Sequence, residues 1–422
     1  PIVPGKLAGR IAMEGRKFDG FYDNAFGGKL GETDQRYVAG TLNFTPTEDL
    51  SIRLRWSDRH DEDGPAATTL IARFTEHNCG PFPGFLPRSL AGLPAGFTLA
   101  QSRRVYCGEL KAPKGPIGIN TTLPASTLPL IPLDEHKLIL DHELGSISAD
   151  WSFGGGYTLT AIASTQEQNI EQVRDFELAP EDRYQVYLTN DQTQDTYEVR
   201  LTSPAEQRLS WMIGVSRLET TFDTIGAFIN GALFGTAGAP TPAPASLLPL
   251  RSASKADSVF GSIGFQATDR LSLSLEARRQ NDEQTSGVGT ALPFSVETKA
   301  TLPRFLGRYS LNDETNLFVN YAKGNQPTLG YATFFQLTPA QQTVALANGL
   351  VPAAPEAEIE NYEIGIKSSW RNLAFETSVY YSPVFDEVVQ VIQPFGETEY
   401  VNAGETEKKG VEVALTWMPA TG

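Results

Sequence analysis

Apolar and polar residues alternate along most of this chain, and that period of two limits what it can fold into. In the run 52–57, Ile52, Leu54 and Trp56 share one face, while Arg53, Arg55 and Ser57 take the other. Leu271, Leu273, Leu275 and Ala277 oppose Ser272, Ser274, Glu276 and Arg278, and Val411, Val413, Leu415 and Trp417 oppose Glu412, Ala414 and Thr416. The same pattern runs through 197–201, 209–215 and 373–381. Successive side chains of a strand point to opposite faces, so these runs predict strands with one apolar and one polar face. Helical spacing is scarce. The best helix is 339–348, with Thr338 as N-cap, Pro339 at the first position, Gln341 completing a capping box and Gly349 past its end.

The connections alternate in length. Short ones occur at 45–49, 154–156, 203–206, 268–270, 311–314 and 371–372, each carrying turn residues between two alternating runs. Between them lie long ones, about 70 residues around 63–134 and about 30 around both 223–255 and 326–356. Two strands per interval gives about fourteen strands, commonly of 10–15 residues. A soluble sandwich has no reason to put every long loop at one end, whereas an outer-membrane barrel has short periplasmic turns and long external loops. The fold expected is an all-β, transmembrane, antiparallel up-and-down barrel.

Composition agrees once it is averaged over two faces. Hydrophobic residues make up 40% of the 422, which resembles a soluble protein, but half of each barrel strand faces a wet lumen. The most apolar stretch, 227–250, holds Pro240, Pro242, Pro244 and Pro249 and reads as a loop of small residues rather than a membrane helix. With 50 acidic against 34 basic side chains, the net charge of -16 argues against a nucleic-acid partner. Both ends look cut from something longer: Pro1 follows no initiator Met, and 417–422 reads as a strand end running into a turn.

Three of the 5 tryptophans, Trp151, Trp370 and Trp417, directly precede a short turn and keep the parity of the apolar face. Aromatic residues at lipid-facing strand ends form a girdle at the membrane interface, and these three are its candidates. The alternative is ordinary packing inside a large sandwich.

Specific words then carry a family resemblance. The run 361–368, Asn-Tyr-Glu-Ile-Gly-Ile-Lys-Ser, followed by 374–381, 400–404 and Lys409-Gly410-Val411-Glu412, resembles the barrel of TonB-dependent outer-membrane receptors. So does Leu317 to Gly324, and Lys6 to Ala12 leading to Asp19-Gly20-Phe21 looks like an early strand and hairpin of that barrel. The resemblance implies a 22-stranded barrel around an N-terminal plug. Residues 1–422 would then be a partial barrel domain, with the plug and final strands outside the sequence. It also implies a Gram-negative outer membrane, energy supplied by the TonB complex through the plug, and a scarce nutrient as cargo. A ferric siderophore is the commonest such cargo, with cobalamin-like cofactors or oligosaccharides as alternatives. A passive porin and a secreted β-rich binding protein are the rival functions.

In the same stretch, Gly365 and Gly410 suit close approach between strands. Glu363, Lys367, Glu405 and Glu412 fall on or near the lumen face and could pair with one another or with a plug.

Nothing in the chain points to catalysis. His60, His77, His136 and His142 form no metal-protease pair, there is no Gly-x-Ser-x-Gly elbow, and Gly154-Gly155-Gly156 lacks the lysine and helix of a phosphate loop. No resident cofactor or metal is expected, although Asp58, His60, Asp61, Glu62 and Asp63 form an acidic cluster that merits a test as a cation site. Cys79 and Cys107 lie in the longest external loop, where an oxidising compartment would join them. Closing that loop would contribute about 3.5 kcal/mol by the chain-entropy model. The loop aromatics Phe82, Phe85, Phe97, Tyr106, Tyr331, Phe334 and Phe335 could stack on a flat ligand or only pack the loops against one another, and the lumen arginines Arg53 and Arg55 could attract an anionic ligand.

Overall fold

The alternating runs form one antiparallel sheet of fourteen strands in a computed structural model. It describes residues 1–68, 116, 119, 133–175, 185–229, 248–288, 293–330, 339–347, 353–354, 356–392, 398–402 and 404–418. In chain order the strands are β1 (Leu7–Asp23), β2 (Lys29–Thr47), β3 (Leu50–Asp63), β4 (Lys137–Phe153), β5 (Tyr157–Asp175), β6 (Gln185–Thr202) and β7 (Leu209–Ile229). There follow β8 (Leu248–Thr268), β9 (Leu271–Val288), β10 (Phe294–Asn312), β11 (Thr315–Gln326), β12 (Leu329–Gly330) and β13 (Ala353–Ala354). The last are β14 (Ala357–Trp370), β15 (Leu373–Phe385), β16 (Val388–Ile392), β17 (Thr398–Asn402) and β18 (Thr406–Trp417). Each strand of the large sheet pairs with the next in sequence, so the topology is up-and-down throughout. β12 with β13 and β16 with β17 form two small hairpins inside long connections. The helix falls at Pro339–Ala347, inside the connection where its capping signals place it.

Three local expectations need correction. The sheet strands run 12 to 21 residues, longer than the alternation suggests, because strand pairing continues well beyond the apolar part of each run. For the same reason the connection around 223–255 is shorter: β7 reaches Ile229 and β8 begins at Leu248, so part of the small-residue stretch 227–250 is strand. Asp19-Gly20-Phe21 is not a hairpin turn. β1 continues to Asp23, Gly20 takes φ +97°, and the register with β2 shifts between Asp19 and Tyr22, which marks a bulge.

The sheet has no conventional core. Among the described residues only nine hydrophobic side chains are buried, including Leu30, Ile119, Val173 and Val384. Meanwhile Ile11, Met13, Ile213, Ile364, Val411, Val413 and Leu415 are each more than half exposed. A soluble sandwich would bury that face. Here the polar face is the inner one, as in a barrel that is apolar outside and wet within.

Candidate functional site: inner wall, outer belt and mouth

Register shows how the outer face is built. Reading across β14, β15 and β18, Trp370 opposes Leu373 and Leu373 opposes Trp417; further along, Ile364 opposes Val379 and Val379 opposes Val411. At the next level Tyr362 opposes Tyr381, and Tyr381 opposes Lys409. Beyond that the outward positions turn charged, with Glu360 and Glu358 on β14 and Glu407 on β18. β3 makes the same change from Leu54 and Trp56 to Asp58, His60 and Glu62, and β7 from Ile213 and Val215 to Arg217 and Glu219.

Aromatic rows bound this apolar belt on both sides. Toward the short turns, Trp151, Phe153, Tyr157 and Trp211 follow one another at centroid distances of 4.9, 6.2 and 6.0 Å, and Trp370 and Trp417, level with each other across Leu373, likewise stand beside short turns. Trp151 is 50% exposed and Trp417 65%. Toward the long connections, Tyr321, Tyr362 and Tyr381 stack at 5.0 and 6.3 Å. Their hydroxyls reach the charged rim: Tyr362 donates to Glu360 at 2.5 Å and Tyr381 to Glu407 at 2.9 Å. This second row was missed by sequence reasoning. Its signal was present, since Tyr197, Tyr321 and Tyr362 each stand where an apolar run becomes charged.

The inner wall is a net of polar pairs. Arg304 meets Glu276 at 3.4 Å, Arg200 meets Glu198 at 3.1 Å, and Arg308 donates to Asn316 at 3.1 Å. Lys367 pairs with Glu376 across β14 and β15 at 2.6 Å, rather than with Glu363 or Glu412, and its ammonium lies 5.2 Å from the Phe318 ring centre. Arg53 donates to the Asn43 side chain at 2.9 Å. Neither it nor Arg55 has a carboxylate partner among the described residues. Both glycines singled out by spacing are tightly enclosed: a Cβ on Gly365 would lie 2.5 Å from Phe318, and one on Gly410 would lie 2.8 Å from the Tyr380 hydroxyl.

Alternation also takes apart the acidic cluster of β3. Asp58, His60 and Glu62 face outward, whereas Asp61 and Asp63 face inward. Two of the acids then find a cation, Lys137 meeting Glu62 at 3.2 Å and Arg59 meeting Asp61 at 2.5 Å, while His60 Nδ1 lies 2.6 Å from Asp141. No cluster of metal-binding geometry forms among the described residues.

At the mouth, where β2 to β5 end, lies a cavity of about 250 Å3 walled by Glu32, Thr33, Asp63, His136, Lys137 and Asp175. Leu30 and Ile119 pack beneath it with Tyr22 and Ala67, and the Asn24 side chain accepts the Ile119 amide at 3.2 Å. Thr33 and Asp63 face each other in register, and the Thr33 hydroxyl and Asp63 Oδ1 are buried without hydrogen-bond partners. Ligand pockets usually measure about 300–1,000 Å3, so this one suits a polar fragment of a ligand. Cys79, Cys107 and the loop aromatics of 82–106 and 331–335 lie outside the described residues.

Comparison with known proteins agrees with this architecture. Residues 93–421 match the family model "TonB dependent receptor-like, beta-barrel", and the chain belongs to that family. Among solved structures, the ferric yersiniabactin uptake receptor FyuA from Yersinia pestis is similar with a TM-score of 0.62 and 16% identity, over 100% of this chain and 55% of its own. The ferripyoverdine receptor of Pseudomonas aeruginosa gives 0.64 and 13%, over 99% and 50%. The copper transporter OprC gives 0.62 and 10%, over 98% and 54%. The chain spans about half the length of these proteins, and at such identities the likeness is one of fold.

Proposed function

We propose that this chain is the larger part of the barrel of an outer-membrane receptor that takes up a scarce nutrient, with a ferric siderophore as cargo. The observation that carries this reading is the inverted packing of the sheet. Apolar residues face outward between two aromatic rows and charged pairs face inward, which is the arrangement required of a wall between lipid and water. Trp370 and Tyr362 are eight positions apart on β14. That is about 26 Å along a strand at ~3.3 Å per residue, or about 20 Å of height at a tilt of ~40°, close to the apolar band of ~25 Å. Trp151, Trp370 and Trp417 would then form the periplasmic girdle, Trp56 and the tyrosines the outer one, and the long connections would lie outside the cell.

In this reading the complete receptor contains a plug and further strands that pair with the free edges of β1 and β18. Two open edges in lipid would leave backbone groups unsatisfied, which supports closure by strands beyond those described here. Cargo would bind at the mouth and be released inward when TonB rearranges the plug. Family membership and the named cargoes of FyuA and the ferripyoverdine receptor support a ferric chelate. Growth and radioiron uptake of a strain lacking the full-length gene, supplied with a panel of ferric chelates, tests the proposal. Loss of uptake for one chelate, restored by the gene and dependent on TonB, is expected. Unchanged iron uptake together with lost copper uptake would replace the cargo, and uptake independent of TonB would favour a passive porin.

A further inference from the structure

A cavity of about 580 Å3 lies away from the inner wall. It lies on the outer face across β6 to β10, where the apolar belt meets the charged rim. Two rungs of the sheet build it. The lower rung reads Val199, Val215, Val259, Arg279 and Thr301, each opposite the next. The upper rung reads Tyr197, Arg217, Asp257, Asn281 and Lys299 in the same way. Toward the short turns, the following rung carries Gly261, Ala277 and Pro303, so the wall below Arg279 is thin.

The charges of the two rungs are unevenly matched. Arg217 and Asp257 form a two-pronged pair at 2.6 and 3.1 Å and neutralise one another. Lys299 holds Glu297 at 3.0 Å from one side. Arg279 has no carboxylate within ion-pair distance among the described residues and donates only to the Thr301 hydroxyl, at 2.7 Å. A guanidinium without an acid among the described residues therefore stands beside Val259, with Val215 and Val199 further along the same rung, all three 46 to 53% exposed.

We propose that this cavity seats a phosphate-bearing lipid of the outer leaflet, its phosphate on Arg279 with Lys299 beside it and its first acyl carbons against Val215 and Val259. A planar guanidinium binds phosphate oxygens two at a time, and its hydrogen bonds strengthen where lipid excludes water. A rung that starts at Trp211 in the short-turn row ends at Tyr321 in the opposite row, so rungs climb toward the rim from β7 to β11; the valines therefore lie on the belt side of the cation, in the order of tail and headgroup in a bilayer. The inference rests on the proposed membrane placement of the belt. It goes beyond that placement because bulk lipid contact would require neither a cavity nor a cation free of acidic partners.

The test uses the full-length receptor extracted from outer membranes and washed in mild detergent, with bound phospholipid and glycolipid counted by native mass spectrometry. The wild type is expected to retain one phosphorylated lipid per receptor. Arg279→Gln with Lys299→Gln is expected to lower retention at least tenfold, while Lys17→Gln, a rim cation on β1 outside the cavity, leaves it unchanged. Heat-modifiable migration of each variant reports its folding. Equal retention in the double variant, equal loss in Lys17→Gln, or complete displacement of the lipid by inorganic phosphate would each overturn the proposal. Failure of the wild type to migrate as a heat-modifiable membrane protein would instead bring down the membrane placement itself.

Discussion

Trp56 and Glu143 lie 87 residues apart in sequence, and the Trp56 indole nitrogen donates to the Glu143 carboxylate at 2.8 Å. The contact joins the last apolar outward position of β3 to the first charged outward position of β4. An indole with its ring in the belt and its N–H on the rim has the two-sided character of a residue at a membrane surface.

Lipid-depth quenching of single-tryptophan variants checks this. Trp56 and Trp151 are expected to be quenched more by labels near the headgroups than by labels at mid-chain, and from opposite leaflets. Stronger mid-chain quenching of both would place the belt wrongly.

The centre of the belt is expected to reject charge and the inner wall to accept it. Ile366 lies midway between Trp370 and Tyr362 on the outer face of β14. Ile366→Arg should cost about 2–4 kcal/mol, the range for a cation at the bilayer midplane. Thr416→Arg, on the inner face of β18, should cost far less. Denaturant titration of the refolded receptor in lipid compares the two, and equal losses would sink the assignment of faces.

Gly365 is fixed by what surrounds it. An added Cβ would lie 2.5 and 2.6 Å from Phe318 ring atoms and 2.6 Å from the Thr377 carbonyl oxygen. Gly365→Ala is expected to destabilise by about 1–3 kcal/mol, typical of overpacking. Phe318→Leu in the same chain should restore only part of this, since the Thr377 carbonyl belongs to the backbone. Full restoration would show that the ring alone sets the constraint.

Glu387 ties the 386–405 connection to the barrel. The Thr406 hydroxyl donates to its carboxylate at 2.5 Å and the Lys408 ammonium at 3.2 Å, and these hydrogen bonds hold its pKa below the ordinary 4.5. A carboxylate with a lowered folded pKa contributes fully above its ordinary value, and the contribution fades as pH falls through the lowered one. Protection of the amides in 386–392 and 404–408, taken relative to intrinsic exchange at each pH, should therefore be high at pH 7 and fall once the pH drops below the ordinary carboxylate value. Glu387→Gln should show low protection at both. A variant with the same pH profile as the wild type would assign the transition to another group.

Cys79 and Cys107 are proposed to be joined. Reduction should shift the mass of the peptide pair that contains them, and alkylation without prior reduction should label neither. Ready labelling of both in receptor taken from the membrane would discard the crosslink.

Much of the architecture is legible in the sequence because a barrel strand is a local object. Alternation marks each strand, a turn residue marks each short connection, and Thr338, Pro339 and Gly349 mark the helix. Strand ends are less legible. Once β7 passes Val215 its outward positions become Arg217, Glu219, Thr221 and Asp223, and nothing in the alternation of hydrophobicity shows that pairing with β8 continues to Gly226 and Leu248. Backbone hydrogen bonding carries the strand on where hydropathy falls silent.

The sequence by itself determined the period of two, the alternation of short and long connections, and the placing of Trp151, Trp370 and Trp417 at strand ends. Each depends only on neighbours along the chain. Register was decided by the tertiary structure, because it depends on which residue of the next strand stands opposite. Register split the β3 acids between two faces, gave Lys367 to Glu376, set Tyr321, Tyr362 and Tyr381 in a row, and left Arg279 beside Val259 with no carboxylate at ion-pair distance among the described residues.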